Sequence, residues 1–472
     1  MARNERIPLG GTDADFDSKR SRVTAINAYL EVSKDEPYVT FRGVEGLEEE
    51  LVLPESPIRS NFLVSRDNRL YVVAGVSLYE IDPFLNVTNL GFVGGADEAQ
   101  IITNGVPENN QLLILNGTGQ GYTYNDGGLI PINDPNFLNA RYGTILNEIF
   151  WLVKSDSNQF FGSALSDGQT WPVDRIATAE ESPDKLINII AKRSNLYLLN
   201  ERTVERWIAS NDVNVPVRVQ KGATYLRGIL APNSLADCNE GFAWLADDKT
   251  VRAIFGDQMI KISDLDLEQR LNGNGTAAQP EPPTVSDAIG FYQDSPSHKI
   301  YYLTFPSIGL TWGYDFVTGK THIRESQIDK PWRVKEIVNW NQNIYGGDRK
   351  TGQIWRFSND KKGEGDDLIR RLIRLPSITR PFNFSLPLIE LDMEVGQPEN
   401  YGEDAKLSVR FSKDGYTFKG WGDITFGELG QYGVRVPLRH FGQVIRNKDF
   451  ILELSMTDPA RFQLYAAYAD II

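Results

Sequence analysis

The chain has one cysteine, Cys238, in 472 residues. A lone thiol excludes an intrachain disulfide and a cysteine-ligated metal cluster. Histidine is almost as scarce. His298, His322 and His440 are scattered, and none belongs to an HExxH or HxH pattern, so no structural zinc site is expected. No apolar run approaches the roughly 18 residues that cross a bilayer as a helix, so no membrane span is expected. The start of the chain, Met1 to Arg22, is polar and charged and does not read as a secretory signal. The expectation is synthesis and folding in a cytoplasm. Positive charge is also short: the net charge is −14. From Lys361 onward there are 15 basic and 16 acidic residues, so 13 of the 14 net negative charges lie in residues 1–360. A nucleic-acid grip needs a basic footprint to displace counterions, and this composition argues against one.

What the chain has is short β-rich runs. Leu186 to Val219 reads LINIIA, LYLL, VERWI and VPVRV, separated by polar turns. Each run is too short for a helix and is rich in residues that suit a pleated surface. Four such strands make one antiparallel sheet, which cannot bury both faces alone. Strands like LYLL begin at Leu70, Leu112, Ile149, Leu196, Phe242, Ile300 and Ile344, in steps of 42, 37, 47, 46, 58 and 44 residues. Each is followed by a second apolar run. A four-stranded unit at this pitch predicts a β-propeller or another radial β array. TWGYDFVTGKTHI, Thr311 to Ile323, reads as a strand pair around Gly319. The blade count is six or seven, because the chain ends can share one sheet.

Other segments punctuate this pattern. Residues 1–22 read as an extended arm, either disordered or ordered only against a partner. Val23 to Val32 and Pro37 to Leu47 read as strands around a Lys34-Asp35-Glu36 turn. Trp171 to Asp184 reads as a long polar link. Ser263 to Thr284 reads as an insertion, with Ser263 capping a short helix through a box with Asp266 and a Gly-, Asn- and Pro-rich tail that cannot pack. Ser358 to Asp367 has no apolar residue and reads as a boundary. Beyond it, Ile389 to Val395 and Leu407 to Phe411 alternate apolar and polar residues, and Ser412 to Gly415 is a hairpin turn. The predicted fold class is all-β: a propeller-like array of six or seven four-stranded blades plus a C-terminal β-sandwich-like domain. The expected division is an N-terminal arm with first strands over 1–55, a propeller over 56–360 and a β domain over 361–472.

Motifs for chemistry are missing. There is no EF-hand spacing, P-loop, GxSxG, or GxGxxG between strand and helix. Asn116 to Gly121 is Gly-rich but joins two strands, where a phosphate cradle needs a helix N-terminus. No catalytic, cofactor-binding or metal residue is assigned, no cofactor is expected, and the chain is expected not to be an enzyme.

Three stretches carry a family resemblance. Asn27-Ala28-Tyr29 with FRGVEGL (Phe41 to Leu47) is similar to the start of phage tail proteins, with Val44-Glu45 where those have Pro. VERWIASNDVNVPVRVQKG (Val204 to Gly222) resembles the strand-plus-QKG passage of the packaged-DNA stabilisation, or tail-hub, proteins of short-tailed phages. RFSKDGYTF (Arg410 to Phe418), the Gly427…Gly430 spacing, VRVPLRHFGQVIR (Val434 to Arg446) and FILELSMTDP (Phe450 to Pro459) resemble that family's closing series. The resemblance implies a structural virion protein. It would be made in the host cytoplasm and built into the tail as a homo-hexameric ring, the hub or nozzle, below the portal and the head-to-tail adaptor proteins. The ring would extend the DNA channel, retain packaged DNA, let genomic DNA pass without sequence-specific binding, and dock tail fibres, spikes or a needle. A peripheral adhesion protein and a propeller-type carbohydrate-active enzyme are the alternatives; the latter predicts two or three carboxylates clustered in a central funnel.

Overall fold

A computed structural model describes residues 3–7, 9, 24–32, 39–106, 110–179, 184–273, 283–328, 330–394, 405–425 and 436–472. The Lys34-Asp35-Glu36 turn, the tail of the 263–284 insertion and the Gly427…Gly430 spacing lie wholly or largely outside these residues. The strands of the repeat form six four-stranded sheets and the leading four strands of a nine-stranded sheet. These are seven blades. Blade 1 runs from strand Leu63–Val64 to strand Val87–Phe92, blade 4 from Leu186–Lys192 to Val217–Tyr225, and blade 6 from Ile289–Asp294 to Lys320–Arg324. Blade 7 starts at Val334–Trp340 and is completed by Gly46–Val52, which pairs antiparallel with Gln353–Ser358. The ends do share a sheet.

The apolar runs identified in the sequence are the second strands of the blades, and they are apolar on both faces for a reason. Side chains alternate across a strand. Leu196 and Leu198 point into the core shared with blade 3, against Trp151 and Phe160. Tyr197 and Leu199 point into the core shared with blade 5, against Phe242 and Trp244. The same division recurs around the ring and closes it. Val72 and Tyr79 of blade 1 pack on Tyr345 and Ile354 of blade 7. A single blade therefore has no core of its own and buries its faces only against its neighbours.

The expected hairpin at Thr311 to Ile323 forms, with Gly319 at φ +67° in its turn. Four expectations need correction. Trp171 to Asp184 is not wholly a link, because Ile176–Thr178 is the outer strand of blade 3, paired with Gln159–Gly162. The short helix α1 (Leu265–Leu271) is capped by Asp264, one residue later than expected, whose side chain accepts from Leu267 N at 2.8 Å. Ser263 instead donates to Glu268 at 2.6 Å. Val23 to Val32 is two strands, Thr24–Ile26 and Ala28–Val32, broken at Asn27 with φ +49°. Within the N-terminal arm, Arg3–Ile7 is ordered against the chain's own last strand, Gln463–Ile471. Buried Ile7 and Leu9 supply the apolar contact that holds it.

The C-terminal strands form two sheets that share one core, with Leu386, Ile389 and Leu464 on one side and Leu407, Val409 and Leu454 on the other. One sheet is joined by Ala28–Val32, Val39–Gly43 and Arg3–Ile7. The other is continuous with blade 6: Thr24–Ile26 lies parallel to Lys320–Arg324 and antiparallel to Arg371–Arg374. A single ladder of backbone hydrogen bonds thus runs from the propeller into the C-terminal unit. The Ser358–Asp367 segment is fixed along this seam. Gly46 N donates to Lys361 O at 3.1 Å and Leu47 N to Gly363 O at 2.9 Å. A Cβ at Gly46 would lie 2.5 Å from Lys361 O, so only glycine fits.

Candidate functional site: the propeller channel and the seam

The first strands of all seven blades line a central channel that encloses about 650 Å³. Its polar side chains are largely engaged in joining neighbouring blades. Asn61 exchanges two hydrogen bonds with Ile101 (3.0 and 2.8 Å), which joins blade 1 to blade 2. Gln100 does the same with Gly143 (3.0 and 2.9 Å), joining blades 2 and 3. Thr144 accepts from Ala191 N at 3.0 Å, and Asn188 donates to Pro232 O at 2.9 Å. Asn239 and Asn339 both reach Asp294, from blades 5 and 7. Trp340 Nε1 donates to Asn68 O at 2.8 Å across the closing interface. The spacing of these residues in sequence gave no sign of this role, because each clasp spans two repeats.

The carboxylates that reach the channel divide between its ends, since the first strands all run in one direction. Glu98 and Glu336 lie at the end where those strands begin, Asp237 and Asp294 where they finish. Lys335, with only 5% of its side chain exposed, pairs with Glu98, and Lys192 pairs with Asp237. Burial pushes Glu336 up to about 8; Lys335 opposes the shift and Glu98 adds to it. The shift favours the neutral form of Glu336. The channel carboxylates Glu98 and Asp237 are ion-paired and do not form an open cluster. No group of three or more metal-ligating side chains occurs among the described residues.

The second polar centre is the seam. Asn27 is fully buried. Its amide donates to Glu325 O and Arg370 O, both at 2.9 Å, and accepts from Glu325 N at 3.1 Å. Its backbone N donates to Ile323 O and its carbonyl accepts from Val44 N. One side chain in the left-handed conformation, which Asn tolerates, thus ties blade 6, the N-terminal strands and the C-terminal unit. Tyr29, two residues on, packs at a tilt of 31° against His298, 4.4 Å between ring centroids, and meets His322 edge-on at 5.1 Å. The two histidines shift in opposite directions. Burial pulls His298 down, but the Asp315 bond at 2.9 Å and Glu31 outweigh it and carry it to about 9. His322 falls to about 3 through burial and the nearby Arg324. Trp332 stacks under Arg324 at 4.0 Å and donates to buried Glu364 at 2.8 Å. The tripeptide Asn27-Ala28-Tyr29 singled out in the sequence is therefore the hub of the seam.

Fold and seam define a class: a closed seven-bladed β-propeller joined through a continuous sheet to a second β unit. The comparisons carry it further. The family described as phage stabilisation, "Bacteriophage P22 Gp10, beta-propeller", matches residues 40–362. The chain belongs to this family, and it is a structural protein of a phage virion. No curated protein matches it. Among solved structures it is similar to the extracellular domain of a hybrid two-component system from B. thetaiotaomicron, at 12% identity and a TM-score of 0.42 over 83% of this chain. This chain spans 47% of that protein's length. It is also similar to the β-propeller domain of Cps50 (Swd1) from Myceliophteria thermophila, at 12% identity and 0.42 over 66% of this chain and 99% of that one. The Pan2 WD40 domain of Neurospora crassa matches at 9% identity and 0.39, over 67% and 95% of the two chains.

Proposed function

We propose that the chain forms a homo-hexameric ring, the tail hub or nozzle of a short-tailed phage, below the portal and adaptor proteins. The ring extends the DNA channel, retains the packaged genome and docks fibres, spikes or a needle. It acts without catalysis and without a cofactor. The family match over residues 40–362 carries this reading. The continuous sheet supports it, because a conduit element under internal pressure needs a fixed angle between its two units. The engagement of channel side chains in blade-to-blade clasps supports a mechanical role over a catalytic one. Part of the acidic surface of residues 1–360 faces the DNA, whose phosphates it repels, so that the genome slides without sticking.

Quantitative mass spectrometry of purified virions tests this. The expected result is six copies per portal assembly. A copy number that tracks the fibres or spikes instead moves the protein to the periphery. Absence from virions overturns the reading.

A further inference from the structure

The distal end of the C-terminal unit and one part of the propeller are chemically complementary. The C-terminal unit joins the propeller where Thr24–Ile26 lies between Lys320–Arg324 and Arg371–Arg374, and Arg371 pairs with Met456 at that end of its sheet. The unit's opposite end carries four large exposed apolar side chains, Phe382, Tyr416, Ile445 and Ile472, at 54–69% exposure. They belong to adjacent turns: Arg446 N bonds Asn383 at 2.8 Å, and Ile472 exchanges backbone bonds with Ser385. Arg446 and Lys448 are exposed beside them, and neither side chain has an ion pair among the described residues. The carboxylates there have partners within the unit. Asp414 caps its own turn, Asp449 accepts from Thr379, and Glu5 pairs with Arg380.

The complement lies on blades 3 and 4. The turns between the third and fourth strands of these blades expose Leu165, Val173 and Val213, at 64–86%. Two exposed carboxylates, Asp174 and Asp212, are their sequence neighbours; one oxygen of Asp212 accepts from Asn214 N and Val215 N in its own turn, which leaves its other oxygen for a cation. Arg175 makes one surface of the two turns, since its Nε donates to Asn214 O at 2.9 Å and its Nη1 to Ser163 O at 2.7 Å. Blade 3 lies three blades around the ring from blade 6, which carries the C-terminal unit, and blade 4 lies two blades from it.

We infer that the C-terminal tip of one copy seats on the blade 3–4 turns of a second copy. The partner is this chain itself. Apolar groups meet apolar groups, and Arg446 and Lys448 meet Asp174 and Asp212. Propeller-to-propeller contact is disfavoured by the 13 net negative charges of residues 1–360. A head-to-tail contact avoids that repulsion, and a heterologous contact closes into a ring when its rotation permits. The inference rests on the ring proposed above and specifies its interface.

Zero-length carbodiimide crosslinking of intact virions tests it on the unmodified protein. The expected result is covalent dimers and larger species in which Lys448 is linked to Asp174 or Asp212. Lys448 linked only to another virion protein, or only elsewhere on this chain, overturns the interface while leaving the ring intact. Absence of the protein from virions overturns the ring itself. A charge exchange gives a second measure. Arg446→Glu with Lys448→Glu is expected to lower incorporation into virions at least tenfold, and adding Asp174→Lys with Asp212→Lys in the same chain to restore it. Full incorporation of the first variant contradicts the inference.

Discussion

The propeller and the C-terminal unit are built from the same element, the short antiparallel strand, but they are assembled in opposite ways. In blades 1 to 6 the four strands of each blade are consecutive in the chain. Every apolar core except the closing one joins blades that are neighbours in sequence. In the C-terminal unit, strands from residues 3–43 pair with strands from residues 371–471. The first arrangement tolerates sequence drift, since each repeat needs only the right pattern. The second depends on a few connectors, and these are the positions where single residues carry several roles. Asn27 serves three elements at once. Gly46 admits the seam segment.

The strongest way to break this contrast is to remove residues 1–52. Blade 7 then loses its outer strand and both C-terminal sheets lose strands. The expected outcome is loss of cooperative unfolding in both regions, read by circular dichroism against temperature. A truncated chain whose propeller melts as before would show that the ring does not need its closing strand.

A smaller effect separates the hydrogen bonds of Asn27 from its backbone. Asn27→Ala loses the bonds and strains a positive φ, at a cost of about 2–4 kcal/mol. Asn27→Gly loses the bonds alone and should cost less. Denaturant midpoints give both values. Equal losses would mean that conformation contributes nothing there.

The last effect is the pH dependence of the seam, which is spread over several pH units. His298 is raised to about 9, so its contribution is complete below its ordinary pKa and fades as pH rises through about 9. For one proton the slope is about 1.4 kcal/mol per pH unit. His322 is lowered to about 3, so it costs stability as pH falls from its ordinary range toward 3. Asp315 and Glu31 are lowered as well, and their contributions are lost as pH falls through the acid range. His298→Gln should flatten the alkaline side of the stability profile, and His322→Gln should soften the acid side. A profile unchanged by both would remove the histidines from the seam's energetics.

The contrast also explains what could be read from the sequence. The seven second strands beginning at Leu70, Leu112, Ile149, Leu196, Phe242, Ile300 and Ile344 were legible because each is apolar on both faces and repeats at a narrow pitch. The closing strand Gly46–Val52 was not, because its partner lies about 300 residues away and its own pattern, GLEEELV, is half polar. Ile176–Thr178 was missed because three residues flanked by polar turns carry no period. The helix cap fell on Asp264 because it, rather than Ser263, takes the extended conformation one residue before the first helical turn. The channel clasps were illegible for a different reason. Asn61, Gln100, Thr144 and Asn188 are ordinary polar residues until the ring brings each beside the next blade. The two histidines of the seam lie 24 residues apart, and only the N-terminal strand carrying Tyr29 unites them.

The most direct test of the central claim is cryo-imaging of intact virions, averaged about the tail axis. The account predicts six seven-bladed toroids around the channel, below the portal, each joined to its second β unit at one fixed angle. Toroids found only on fibres or spikes, or toroids whose angle to the second unit varies between copies, would contradict it.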